Sequence, residues 1–253
     1  MTSGVYSYMN ATLKFAGLGL ALLTAACNQE AATNQAEAMG SGGHPRPPSA
    51  KNWAKTIVAT PEGGFRMGNP DARVKLLEFG SFTCPHCRDF HTEAMKILKD
   101  KYVASGQVSY EFRSFILNGI DVPVSLLAYC MPPAAFFATQ DGIYDTQQQW
   151  IENFQKDSAQ MEKLQSAPQD QQLAGVIKVT QLDNFFKLRG LPPSKQQQCL
   201  ADKPMMEKLA AIRSDAVKTY RLTGTPTFAI NGVTQENVFD WKGLQPKLDD
   251  ALN

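Results

Sequence analysis

Charge of one sign is what this sequence most plainly lacks. Lys and Arg number 25 against 24 Asp and Glu, a formal net charge of +1, and no basic run carries interleaved aromatics. That balance excludes a nucleic-acid surface, which needs a basic stripe. Histidine is scarce, at three copies, and cysteine little commoner, at five. Only Cys84 and Cys87 form a CxxC pair. The other potential ligands, Cys130, Cys199, His44 and His91, make no second paired motif. A zinc site takes about four N or S ligands, so no metal is expected, and no organic cofactor is implied either. The apolar run from Phe15 to Ala26 falls short of the roughly 20 residues that a spanning helix requires.

That run reads instead as part of an export signal over residues 1–27, with Lys14 as the sole charge before Glu30. Met9 is an alternative start that leaves a more usual charged leader. The run ends in Leu23-Thr24-Ala25-Ala26-Cys27, which resembles a bacterial lipobox except that Thr24 stands where Leu is preferred. Two outcomes follow: lipidation of Cys27, giving membrane contact through an anchor, or ordinary cleavage nearby. Both place the protein in a periplasmic or equivalent extracytoplasmic compartment. Residues 28–51 have almost no bulky apolar side chain and include Gly40-Ser41-Gly42-Gly43 and Pro45-Arg46-Pro47-Pro48. Such a segment cannot offset the entropy of ordering itself and is expected to be a flexible linker.

From Trp53 the pattern becomes regular. Lys55–Thr60 is expected to be a first strand, with turns at Gly63-Gly64 and Gly68–Asp71. Val74–Phe79 is mainly apolar on both alternating sets, as in a strand covered on both faces, with Glu78 the exception within it. After Cys87 the period lengthens: Phe90, Ala94, Ile97 and Leu98 form one helical stripe, and Gly106 suits its end. Val108, Tyr110 and Phe112 then alternate with polar residues, predicting a strand. Between Asp121 and Lys218 the pattern is helical throughout, apart from a polar stretch, Gln155–Gln172, read as a loop with frayed ends. Asp121 and Pro123 open the first of these helices, and Asp202 precedes the last. Thr227–Ile230, the turn Asn231-Gly232 and Val233-Thr234 predict a hairpin, followed by a helix from Asp240 carrying Leu244, Leu248 and Leu252 on one face. The order β-β-α-β, helices, β-β-α defines an α/β domain in two parts, 52–120 and 219–253, interrupted by an all-α insertion at 121–218.

The CxxC therefore sits on a strand-to-helix turn. There Cys84 meets free backbone N–H groups and the positive end of the helix dipole, which favour thiolate over thiol. His86 adds positive charge or a hydrogen bond. A low thiol pKa stabilises the reduced form and makes the disulfide oxidising. Cys84 is the expected nucleophile and leaving group, and Cys87, one turn in, the resolving thiol. Without Cys27, four cysteines allow three pairings, and spacing favours Cys84–Cys87 with Cys130–Cys199.

The segment Phe79-Gly80-Ser81-Phe82-Thr83-Cys84-Pro85-His86-Cys87 resembles the active site of DsbA-like disulfide oxidases, and Gly224-Thr225-Pro226-Thr227-Phe228 resembles their cis-proline loop. The resemblance covers residues 52 to 253. It implies a thioredoxin fold interrupted by a helical domain, and a disulfide passed to reduced exported proteins through a mixed disulfide. It also implies a membrane or soluble redox partner for reoxidation, by analogy a quinone-linked membrane oxidase. It assigns catalysis to Cys84, Pro85, His86 and Cys87, and substrate backbone pairing to Thr225 and Pro226. Glu78, six residues before Cys84, becomes a buried proton relay to Cys87, the alternative being a solvated edge position. Cys130 and Cys199 become a second, non-catalytic disulfide, the alternative being two buried thiols. Thr225 stands where some oxidases carry Val, and Thr at this position is seen in isomerase and reductase relatives, so the direction of electron flow stays open. A non-catalytic peptide- or metal-binding lipoprotein on the same scaffold is the reading from a different class.

Overall fold

Val74–Gly80 (β3) owes its central place to its composition: with every residue but Lys75 buried, it needs cover on both faces and on both edges. The computed structural model describes residues 52–253; the expected signal segment, Cys27 and the whole of the linker lie outside the described residues. The chain enters through a 3-10 turn, Trp53–Lys55, and two short strands, Ile57–Ala59 (β1) and Phe65–Gly68 (β2). After β3 come the helix Pro85–Ile97 (α1), a wider π-type turn over Leu98–Val103, and the strand Val108–Ser114 (β4). Gly106, at φ +84°, supplies the left-handed residue that releases the chain from this helical run.

The six strands run in the order β1-β2-β4-β3-β5-β6, with Thr227–Ile230 as β5 and Val233–Thr234 as β6. β3 is parallel to β4 and antiparallel to β5, placing Glu78 opposite Phe112 on one side and Phe228 on the other. Phe90 of α1 packs on Phe228, with ring centroids 4.6 Å apart. Phe79, pointing to the opposite face of β3, meets Tyr220 of the long helix Lys203–Tyr220 at 4.9 Å.

The strand β2 departs from the sequence reading, which placed turns on either side of it and nothing between. Four residues are too few to show a period. They form a strand because Phe65 and Met67 bury fully while the backbone pairs with β1 on one edge and β4 on the other. The first strand is correspondingly shorter than expected, since Lys55 belongs to the preceding turn.

Between β4 and β5 the chain is helical: Asp121–Tyr129 (α2), Phe136–Asp145 (α3), Gln147–Lys156 (α4), Ser158–Leu164 (α5), Gln169–Val179 (α6), Leu182–Leu188 (α7), Pro193–Leu200 (α8) and Lys203–Tyr220 (α9). The polar stretch read as a loop holds α5 and the start of α6; its Gln, Glu and Lys residues are good helix formers even where little is buried. Asp202 caps α9 through the Met205 N–H, and Asp240 caps the last helix, Trp241–Leu252 (α10), through the Gly243 N–H. Cys130, closing α2, is joined by a disulfide to Cys199 on α8. No helix among the described residues is long and apolar enough to cross a membrane.

Candidate active site

β3 ends at Gly80, and the chain reaches α1 through Ser81-Phe82-Thr83. Cys84 takes the N-cap position, in extended conformation at φ −81° and ψ 121°, and Pro85 follows as the first helical residue. Proline fits there because the missing N–H has no helical partner anyway. The Cys84 sulfur thus faces the free N–H groups of the first turn. Both cysteines are free thiols, Cys84 5% exposed and Cys87 wholly buried.

The Thr225–Pro226 peptide is cis and lies against this turn. The Cys84 thiol donates to the Thr225 carbonyl at 3.2 Å. Thr225 Oγ1 is buried with no partner in this arrangement, so its hydroxyl is free to donate to sulfur once the proton leaves. The Cys84 pKa falls from the ordinary 9.0 to about 5, through the Cys87 thiol above all. Burial opposes that shift, and the Thr225 hydroxyl and the backbone N–H groups of Cys87 and His86 add to it. Burial drives Cys87 the other way, well above the usual thiol range, with the Cys84 hydrogen bond and the charge of Glu78 adding to it. One thiolate and one thiol, held a helical turn apart, result.

Glu78 is 1% exposed beneath this pair. Burial raises its carboxyl from 4.5 to about 8, against the Tyr110 hydroxyl, which donates to Oε2 at 2.5 Å. Glu78 is therefore mainly protonated at neutral pH and able to exchange a proton with a buried neighbour. His91 is buried with its Nε2 bonded to Asp141, which Lys99 also contacts at 2.8 Å. Its ring lies 4.9 Å from that of Tyr144. Among the described residues no cluster of His, Cys, Asp or Glu is placed to hold a metal ion.

Three further residues at the site were not singled out for it in the sequence, and all come from the insertion. Asp121, read only as a helix opener, is fully buried and accepts from Ser81 Oγ at 2.9 Å and from Thr83 N and Oγ1 at 3.0 Å. Gln147 Nε2 donates to the carbonyls of Phe82 at 2.8 Å and Cys84 at 2.9 Å. Tyr144 donates to the Ser81 carbonyl at 3.2 Å. Each lies some 40 to 65 positions from its partner, beyond any local pattern.

A mixed six-stranded sheet with an all-helical insertion, and a CxxC turn facing a cis proline, places the molecule among thioredoxin-fold proteins with the DsbA-like elaboration. The chain belongs to the thioredoxin family, whose model matches residues 60–250. A protein-disulfide isomerase from Novosphingobium aromaticivorans superposes with a TM-score of 0.71 at 32% identity, over 75% of this chain and 97% of that one. Alpha-DsbA1 of Wolbachia pipientis shares the fold, with a TM-score of 0.59 at 23% identity over 74% of this chain and 89% of its own. A Rickettsia bellii relative named "Putative protein-disulfide oxidoreductase" is 27% identical over 207 residues, 81% of this chain and 70% of that protein. The chain spans only 61% to 64% of the length of four further Rickettsia relatives.

Proposed function

We propose that this protein is an exported thiol–disulfide oxidoreductase that donates a Cys84–Cys87 disulfide to reduced proteins outside the cytosol. The observation that carries this reading is Cys84 at the helix N-cap, with its pKa brought down to about 5 beside a thiol whose pKa is raised. A substrate thiolate attacks Cys84 Sγ of the disulfide, forming a mixed disulfide and releasing Cys87. The leaving Cys87 sulfur takes a proton, for which Glu78, neutral below about pH 8, is the nearby donor. A second substrate thiolate then attacks the substrate sulfur of the mixed disulfide and expels Cys84 as a thiolate. The substrate loses two electrons to the protein, and a separate redox partner must remove them to restore the disulfide. The Thr225 backbone beside Cys84 offers an extended substrate segment a pairing edge. Pro85 starts the helix, and His86 contributes its N–H to the thiolate.

Cys87→Ser tests the exchange step. It should trap mixed disulfides between Cys84 and exported proteins, and recovery of none would leave the binding-module reading in its place. Thr225, standing where some oxidases carry Val, keeps a second reading, reductase or isomerase, although its hydroxyl beside the sulfur lowers the Cys84 pKa and so favours donation. The equilibrium of Cys84–Cys87 with glutathione separates the two: a potential as reducing as thioredoxin's excludes donation. We further propose that Cys27 is lipidated, which mass spectrometry of the mature N-terminus decides.

A further inference from the structure

The Ser81–Thr83 turn is held by its own internal hydrogen bonds and by Asn118, and from the inserted helices by Asp121, Tyr144 and Gln147. Asp121 is the centre of that hold: besides Ser81 and Thr83, its carboxylate accepts the Leu117 N–H at 2.9 Å. Every contact it makes is with a donor, so the group works as an anion, yet it has no ion-pair partner among the described residues. Burying a carboxylate without a cation costs several kcal/mol even after relaxation, and that burial pushes the Asp121 pKa upward. An asparagine would staple a loop more cheaply, but its amide would turn donor against donor at one of these contacts. Only a group that accepts in every direction can fix Ser81, Thr83 and Leu117 together.

We propose that Asp121 is a positioning residue for Cys84, fixing from the inserted domain where the nucleophilic sulfur stands over the start of α1. The inference rests on the reading of Cys84 as the reacting thiol. The Thr83 N–H that Asp121 holds is one residue from Cys84, and the Cys84 N–H closes the turn on the Ser81 carbonyl at 3.2 Å. Gln147 holds the Cys84 carbonyl from the same side. With both ends of the residue fixed, the sulfur keeps its contacts with the N–H groups of His86 and Cys87 and with Thr225. Released, it drifts from them and the thiolate loses stabilisation.

Charge and position predict opposite signs, which makes the proposal testable. Asp121→Asn removes an anion close to a thiolate; if charge were the whole effect, the Cys84 pKa would fall. If Asp121 positions the sulfur, the pKa rises. The measurement is the ultraviolet absorbance of the Cys84 thiolate against pH in the reduced full-length protein, with the thermal midpoint recorded separately. The expected result is a raised titration midpoint, and a glutathione equilibrium moved towards the disulfide by about tenfold for each unit of rise. Ser81→Ala, which removes one donor and keeps the carboxylate, should shift both the same way by less, and carries the test if Asp121→Asn does not fold. An unchanged midpoint with a lowered thermal midpoint makes Asp121 purely structural, and a fallen midpoint makes it a charge effect; either overturns the proposal. Because the thiolate titration needs no substrate, failure here stays distinct from failure of the wild-type protein to exchange disulfides.

Discussion

At the scale of single residues, Glu78 and Cys84 have been moved in opposite directions, and each makes stability depend on pH. Glu78 binds its proton more tightly folded than unfolded, up to about 8 from 4.5. Its contribution is present below pH 4.5 and is lost as pH rises towards 8. Glu78→Gln removes that loss. The variant should therefore gain on the wild type across this window, at about 1.4 kcal/mol per pH unit at most, as denaturant titrations at several pH values would reveal. The same substitution should slow proton-coupled release of Cys87 by about a hundredfold at neutral pH, read in single-turnover oxidation of a peptide dithiol. A faster or unchanged rate would remove Glu78 from the chemistry. Its place was legible because one acid interrupts a mainly apolar strand. The Tyr110 partnership was not, because which β4 residue reaches Glu78 depends on register, and the alternation of β4 gives the face but not the pairing.

At the scale of elements, the helices of the insertion are tied down at particular ends. Cys130 and Cys199 close a span of 69 residues, for which the chain-entropy model gives a stabilisation of roughly 4 kcal/mol. The double replacement by Ala should lower the unfolding free energy by that order, and an unfolding curve that hardly moves would mean the unfolded chain is already compact there. Asp240→Ala should cost α10 about 1 kcal/mol, since the Gly243 N–H then loses its acceptor. The caps of α9 and α10 could be read from sequence because a cap is a contact over three positions. β2 could not, for it gains its stability from partners on both edges rather than from its own four residues. Asp121 shows the same limit at the site: the residue stood in plain view as a helix start, but what it holds lies 38 to 40 positions away.

For the whole molecule, the two redox states should respond differently to pH. In the reduced protein Cys84 titrates near 5 rather than 9. That stabilisation is complete above about pH 9 and is lost as pH falls to 5. The disulfide form has no such group. Calorimetry of both forms should therefore find the thermal midpoint of the reduced protein gaining on the oxidised one as pH rises from 5 to 9. A constant difference would argue against a stabilised thiolate. The fold class was legible from the order of periodic segments, since a break of about a hundred helical residues between two strand-forming halves admits few arrangements.

The central strand β3 receives its second neighbour, β5, only after the whole insertion has been threaded, and Cys84 meets Thr225 across 141 residues of chain. In a polypeptide that emerges from its N-terminus, the thiol pair appears early and its surroundings late. Until β5 arrives, Cys84 has its local partners Cys87 and His86 but lacks the Thr225 contact, and β3 has an open edge. A chain without β5, β6 and α10 would lose the second neighbour of β3 and the Thr225 contact of Cys84 together, so the last strands complete the sheet and this side of the site in one step.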